Sequence, residues 1–176
     1  MSAATVVIRS ARPADVPALP TIETAAGQSF AEIGMAEIAS DPVPVAEYYA
    51  KYQQAGRAWV GVNPRDEPIA YLLLDVIDGS GHIEQASVRS TYARRGIGQA
   101  LINHAASWAA VNGLRALTLF TFADVPWNAP LYRRCGFEIL PESQLTPGLS
   151  EIQRRESERG LDRWPRVGMI RNLTPS

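Results

Sequence analysis

The stretch Val88–Ile102, "VRSTYARRGIGQALI", decides how the chain is read. Two glycines, Gly96 and Gly98, follow two arginines, Arg94 and Arg95. Ile97, Leu101, Ala105 and Trp108 then recur at helical spacing until Gly113. The first amides of a helix lack intrahelical partners, carry partial positive charge and bind phosphate. Glycine lets a phosphate approach the backbone, and arginine adds charged donors. The segment therefore reads as a phosphate cradle at a strand-to-helix turn, with two merely solvated arginines as the plain alternative. A dinucleotide fingerprint requires a third glycine where Leu101 stands, and a nucleotide P-loop requires Gly-Lys-Ser/Thr, which this turn lacks.

Upstream, "TVVIR" (residues 5–9) has strand composition, and Pro13 and Asp15 open a helix that Pro17 and Pro20 are expected to bend. A second helix spans "DPVPVAEYYAKYQQAG" and stops at Gly56. Strands follow at 57–62, 68–77 and 82–88, with Asp78–Gly81 as hairpin turn chemistry, so the middle of the chain is an antiparallel meander. Downstream come a helix at 97–112, a strand at 115–122, a short helix beginning near Asn128 and a strand at 137–140. A helix with Thr146 as N-cap and Pro147 at its first position, and a strand at 166–173, complete the order. The expected fold class is mixed α/β, with about seven strands flanked by helices in one domain.

The 176 residues are 46% hydrophobic and 20% charged, with 17 basic and 18 acidic side chains, which is a globular composition. The net charge of −1 gives no overall field for nucleic acid or an anionic membrane. A single cysteine, Cys135, permits no internal disulfide. The N-terminal residues lack the apolar core of a signal peptide, and no apolar run approaches the roughly 18 residues of a membrane span. A cytoplasmic protein is expected by default, with no metal, nucleic-acid or membrane partner.

The turn segment resembles motif A of the GNAT superfamily, the acetyl-CoA-dependent N-acetyltransferases, whose signature is Arg/Gln-x-x-Gly-x-Gly/Ala. The register ending on Gly96 and Gly98 departs at its leading position, Ala93; the register Arg95-x-x-Gly98-x-Ala100 satisfies the signature formally. The first is preferred because it puts both glycines in the turn. "LYRRCGF" (Leu131–Phe137) is similar to the family's aromatic-Tyr-x-x-x-Gly-Phe signature, and "VIRSARPADVPAL" to its usual opening. The element order matches over about residues 5–173, with an extra helix at about 147–159.

The resemblance implies a GNAT-like, mostly antiparallel twisted sheet, splayed in the middle. It implies main-chain contacts of Ala86 and Val88 with pantetheine, and pyrophosphate on the amides of Arg94, Arg95, Gly96, Ile97, Gly98 and Gln99. Asn128 is a further cofactor contact or a helix cap; relatives carry alanine there and asparagine at the position of Val125. Tyr132 falls on the position that protonates the departing thiolate, with a core tyrosine as the alternative. Glu84 is the preferred general base, with a polar strand pair as the alternative and His82 as a second choice, although a hairpin-edge histidine is usually exposed. His104 and Cys135 read as structural, and Trp59 and Trp127 either line the acceptor site or, as preferred, pack in the core. "RRESERGLDR" (154–163) reads as a solvated face.

The implied activity is transfer of acetyl from acetyl-CoA to a primary amine of a small molecule or peptide; the alternative is an inactive acyl-CoA-binding sensor or scaffold. Folds of this family often pair as homodimers. The family's acceptor specificity lies in the first two helices and their loop, where Glu23, Glu32, Glu37 and Asp41 lean toward a cationic amine.

Overall fold

The computed structural model describes residues 6–35, 44–125 and 128–173, without the side chains at 28, 29, 31 and 162. Thr5, Glu37, Asp41 and Trp127 therefore lie outside the described residues. The strands are β1 (Val7–Ser10), β2 (Ala58–Val62), β3 (Pro68–Ile77), β4 (Ser80–Val88), β5 (Ala116–Phe122), β6 (Glu138–Leu140) and β7 (Arg166–Asn172). They form one mixed sheet in the order β1-β2-β3-β4-β5-β7-β6. The helices are α1 (Leu19–Ala31), α2 (Ala46–Gln54), α3 (Ile97–Val111), α4 (Ala129–Arg134) and α5 (Pro147–Glu158). The chain divides into two compact units, one of Met1–Leu74 with Glu84–Ala105, the other of Asp75–Ile83 with Ala106–Ser176.

In the first unit, β1 and β2 pair antiparallel from Val7↔Val62 to Ser10↔Trp59. The β2–β3 ladder shifts register between Gly61 and Val62. The expected bend in the first helix takes a specific form: a 3-10 segment, Pro13–Ala18, contains Pro17, and α1 then starts with Pro20 in its first turn. A proline tolerated in a first helical turn would break a helix interior, so the chain changes helix type where the prolines fall. Leu19, Ile22, Tyr49, Val60, Tyr71 and Leu73 form the centre of this unit's core. Trp59, read as structural, is 2% exposed, and its ring meets that of exposed His104 at 6.1 Å.

In the second unit, β5 pairs antiparallel with β7 along its full length, from Ala116↔Asn172 to Phe122↔Arg166. Its parallel ladder with β4 covers only Gly81↔Leu117 and His82↔Thr118. The Asp78–Gly79 turn places both residues at positive φ, 51° and 81°, the conformation that joins tightly twisted strands. The Asp78 carboxylate accepts the Gly148 amide at 2.8 Å, and Arg115 Nη2 donates to the Asp78 carbonyl at 2.7 Å. Thr146 caps α5 through the Leu149 amide, as its position in the sequence implies. Leu149 and Ile152 then pack with Leu140 and, around them, Ile77, Phe120, Leu145 and Ile170. Along α5, exposed Arg154 pairs with Glu151 and Glu158, as the solvated-face reading expects, whereas Glu156 departs from it, half-buried and paired with Arg166.

His82 departs from the expectation of an exposed hairpin edge: it is 2% exposed. β5 pairs directly at this residue, so Nδ1 lies 2.9 Å from Thr118 Oγ1 and the ring 5.7 Å from that of Phe120. Burial holds the imidazole pKa down at about 4.

Two outcomes follow. A Cβ at Gly148 would stand 2.6 Å from Ile77 Cγ2 and 2.7 Å from Asp78 Oδ2. Gly148→Ala therefore displaces the start of α5 and lowers stability by about 1–3 kcal/mol in urea denaturation. For His82, the unfolded imidazole takes up a proton below its ordinary pKa of about 6.5, whereas the folded one does so only near 4. Its contribution to stability is complete above the former and declines as pH falls toward the latter, by about 3 kcal/mol. His82→Gln flattens that part of the pH–stability curve; an unchanged slope would assign it to other groups.

Candidate active site

The strand-to-helix turn is built within the first unit. After Val88, Arg89 donates its amide to the Ile69 carbonyl at 2.9 Å, which holds the end of β4 against β3. Ser90–Tyr92 make one 3-10 turn, and Ala93 is extended. Arg94 and Gly96 both adopt left-handed backbone, at φ 64° and 77°. Glycine adopts this conformation without penalty; arginine there is strained, a feature that concentrates at binding and switch segments. Turns of this kind aim successive amides into one concavity, a ready anion site. α3 begins at Ile97, so Gly96 lies in the turn and Gly98 in the first helical turn. The expectation that both glycines occupy the turn is thereby corrected by position: the reversal is made at Gly96, and Gly98 presents a helix-start amide.

The side chains of Arg94 and Arg95 are exposed, and the Arg95 guanidinium lies over the Tyr92 ring at 5.2 Å. Ile97 is buried and Gln99 exposed. Within this run, Ala86, Val88, Arg94, Arg95, Gly96, Ile97, Gly98 and Gln99 thus occupy one strand end, one turn and one helix start. Gly61 lies beneath: a Cβ there would come within 3.2 Å of Val6 Cγ1 and 3.3 Å of Ile97 Cγ2. Sequence reasoning passed over Gly61, although a glycine inside a strand is a signal of close approach.

Glu84, on β4, accepts a hydrogen bond from Tyr48 Oη at 2.9 Å. Burial, and next the charge of Glu84, push the Tyr48 phenol far above its ordinary pKa, so it stays a donor. Tyr48 carries no motif. Its place opposite β4 follows from the packing of α2, which a sequence pattern does not give.

In the second unit, Asn128 stands at the N-cap position of α4 but makes no side-chain cap, because its backbone, at φ −112° and ψ −111°, is not that of a capping residue. The helix is instead tied at its end. Gly136 turns left-handed at φ 91°, and the Phe137 amide returns to the Tyr132 carbonyl at 3.0 Å. The Tyr132 ring meets Phe137 edge-on at 5.7 Å. Burial, followed by the nearby Cys135 thiol, pushes the Tyr132 phenol up to about 12. Cys135 is 6% exposed, matching its structural reading, and its pKa is also raised, chiefly by burial.

Among the described residues, no group of three or more His, Cys, Asp or Glu side chains is arranged to hold a metal ion, and no helix is long and apolar enough to cross a membrane. The fold is similar to the ribosomal-protein-S18-alanine N-acetyltransferase of Escherichia coli, at 18% identity and TM-score 0.68, covering 98% of this chain and 96% of that one. It is similar to a GNAT-family acetyltransferase of Staphylococcus aureus at 15% identity and TM-score 0.71, covering 97% and 100%. It also matches 36% of the N-acetylglutamate synthase of Neisseria gonorrhoeae, a structure with coenzyme A and N-acetylglutamate, at 19% identity and TM-score 0.70 over 99% of this chain. The family model described as acetyltransferase (GNAT) family matches residues 28–137, from α1 through the turn to the glycine and phenylalanine after Tyr132. With more than half of its length under that model and the matching sheet, the chain belongs to the GNAT acetyltransferase family.

Proposed function

We propose that this acetyltransferase moves the acetyl group of acetyl-CoA directly to a primary amine of a small molecule or peptide, as one domain over residues 5–173 to which α5 is an addition. The observation that carries this reading is the left-handed turn at Arg94–Gly96, which opens α3 beside two arginines. Its amides and guanidiniums suit the charge of a pyrophosphate, with the amides of Arg94 to Gln99 as donors. Ala86 and Val88 supply main-chain contacts to pantetheine, and Asn128 a polar group near the short helix. Coenzyme A bound to solved relatives of this fold supports the same assignment.

In the proposed reaction, Glu84 removes a proton from the acceptor ammonium, directly or through water. Tyr48 fixes one carboxylate oxygen of Glu84 and cannot compete for the proton, since its own phenol is held protonated. The neutral nitrogen attacks the thioester carbonyl, and the oxyanion is stabilised by the Val88 amide. Collapse breaks the carbon–sulfur bond, the amide keeps the acetyl group and sheds its second N–H proton, and the thiolate takes up that proton at the Tyr132 hydroxyl. The phenol, pushed up to about 12, holds its proton at neutral pH. It is also a weaker acid than an ordinary thiol of pKa about 8.5. The Tyr132 hydroxyl thus acts first as a hydrogen-bond donor to the leaving sulfur.

Release of free thiol from acetyl-CoA across a panel of amines tests the reaction; tight coenzyme A binding without amine-dependent thiol release would identify a sensor instead. Tyr132→Phe lowers kcat by about tenfold or more and Glu84→Gln by about a hundredfold, with small changes in the KM for acetyl-CoA. Gly96→Val forces a branched side chain into left-handed backbone and weakens coenzyme A binding, read by calorimetry, at least about tenfold. Unchanged affinity would remove the turn as the cradle.

A further inference from the structure

A second carboxylate in the first unit is held in an unusual way. Glu23, on α1, is half-buried, and its Oε1 accepts two phenolic hydrogen bonds, from Tyr49 at 3.1 Å and Tyr71 at 2.7 Å. Both tyrosines are fully buried, one on α2 and one on β3. Burial, and after it the charge of Glu23, raise both phenols well above their ordinary range, so they remain donors. Tyr48 and Tyr49 pack edge-on at 5.2 Å, and Tyr49 and Tyr71 at 5.8 Å, which fixes the rings that carry these hydroxyls.

Among the described residues no lysine, arginine or histidine pairs with Glu23. The undescribed stretches, residues 1–5, 36–43, 126–127 and 174–176, contain none of these residue types. By contrast, the half-buried Glu156 of the second unit is paired with Arg166. A partly desolvated carboxylate without a counter-ion is costly, and among the described residues two neutral phenols stabilise it. Those donors occupy one oxygen and leave the other for an ammonium, whose three N–H donors and single charge complement it.

We propose that Glu23 binds a non-reacting ammonium group of the acceptor, so that the acceptor is a molecule with at least two amino groups. The inference rests on the acetyl-transfer reading for the acceptor and for Glu84 as the group that takes its proton. The reacting nitrogen is the one assigned to Glu84, which takes its proton. The nitrogen held at Glu23 is therefore distinct from the one that receives the acetyl group, and a diamine, polyamine or lysine-like compound meets both demands.

The test is a binding measurement that needs no turnover. Protein carrying 13C at the tyrosine ζ position is titrated with 1,5-diaminopentane and, separately, with the uncharged 1,5-pentanediol, in the presence of coenzyme A. The Tyr49 and Tyr71 resonances, assigned with the Phe variants, shift saturably with the diamine and not with the diol. Glu23→Gln preserves an oxygen acceptor for both phenols while removing the charge. It weakens the diamine at least about tenfold, with circular dichroism reporting the fold. No shift with the diamine, equal shifts with the diol, or equal affinity in Glu23→Gln would overturn the proposal. Absence of thiol release in the amine panel bears instead on the acetyl-transfer reading, so the two failures are told apart.

Discussion

The left-handed backbone at Gly96 is the constraint on which the candidate site depends. A chain leaving an extended strand end has to reverse and start a helix within a few residues, and its first helical amides have no partners of their own. At Gly96 the reversal costs little, because no Cβ meets the following carbonyl. At Arg94 the same conformation is costly, and it persists because β4 is held to β3 up to Arg89 and α3 is seated on its buried Ile97. The result is a run of backbone donors whose position is set by packing rather than by side chains that move. For an anionic ligand, donors fixed before binding lose little freedom when it arrives.

The elements that were legible in the sequence are those governed by local rules. Asp78–Gly79 specified a tight hairpin, Thr146–Pro147 the start of α5, Gly136 and Gly160 the ends of helices, and the Ile97–Leu101–Ala105 stripe the buried face of α3. Each is a matter of φ, of a cap or of helical period. The features that escaped are products of long-range pairing. The burial of His82 arises because β5 pairs beside it, and nothing in the local pattern of β4 reveals which strand comes next to it. Asn128 shows a subtler failure, since residue type and position both suit a cap and only the backbone angles exclude it.

Tyrosine is the residue that joins Glu23 and Glu84 to the fold. Tyr48, Tyr49 and Tyr71 each bury a large ring and spend the hydroxyl on a glutamate, so hydrophobic packing determines where the anions stand. A lysine or arginine in those places would hold the carboxylates more tightly and leave them neutralised. Phenols orient them as neutral donors. The spacing of α2, with Tyr48 and Tyr49 adjacent in sequence, sends neighbouring residues to different partners, Glu84 and Glu23, and couples the placement of both acids to one helix.

Gly61 gives the fold a dependence that a ligand-contact map would miss. It is an interior strand residue with Ile97 directly against its bare α-carbon. A side chain at this position would press on Ile97, Val6 and Ile8, so a change here reaches the helix start without touching the turn. The cause is plain geometry: a methyl group in the sheet lifts the floor on which the helix begins. An engineer moving the ARRGIG segment to another scaffold would have to carry that missing side chain with it.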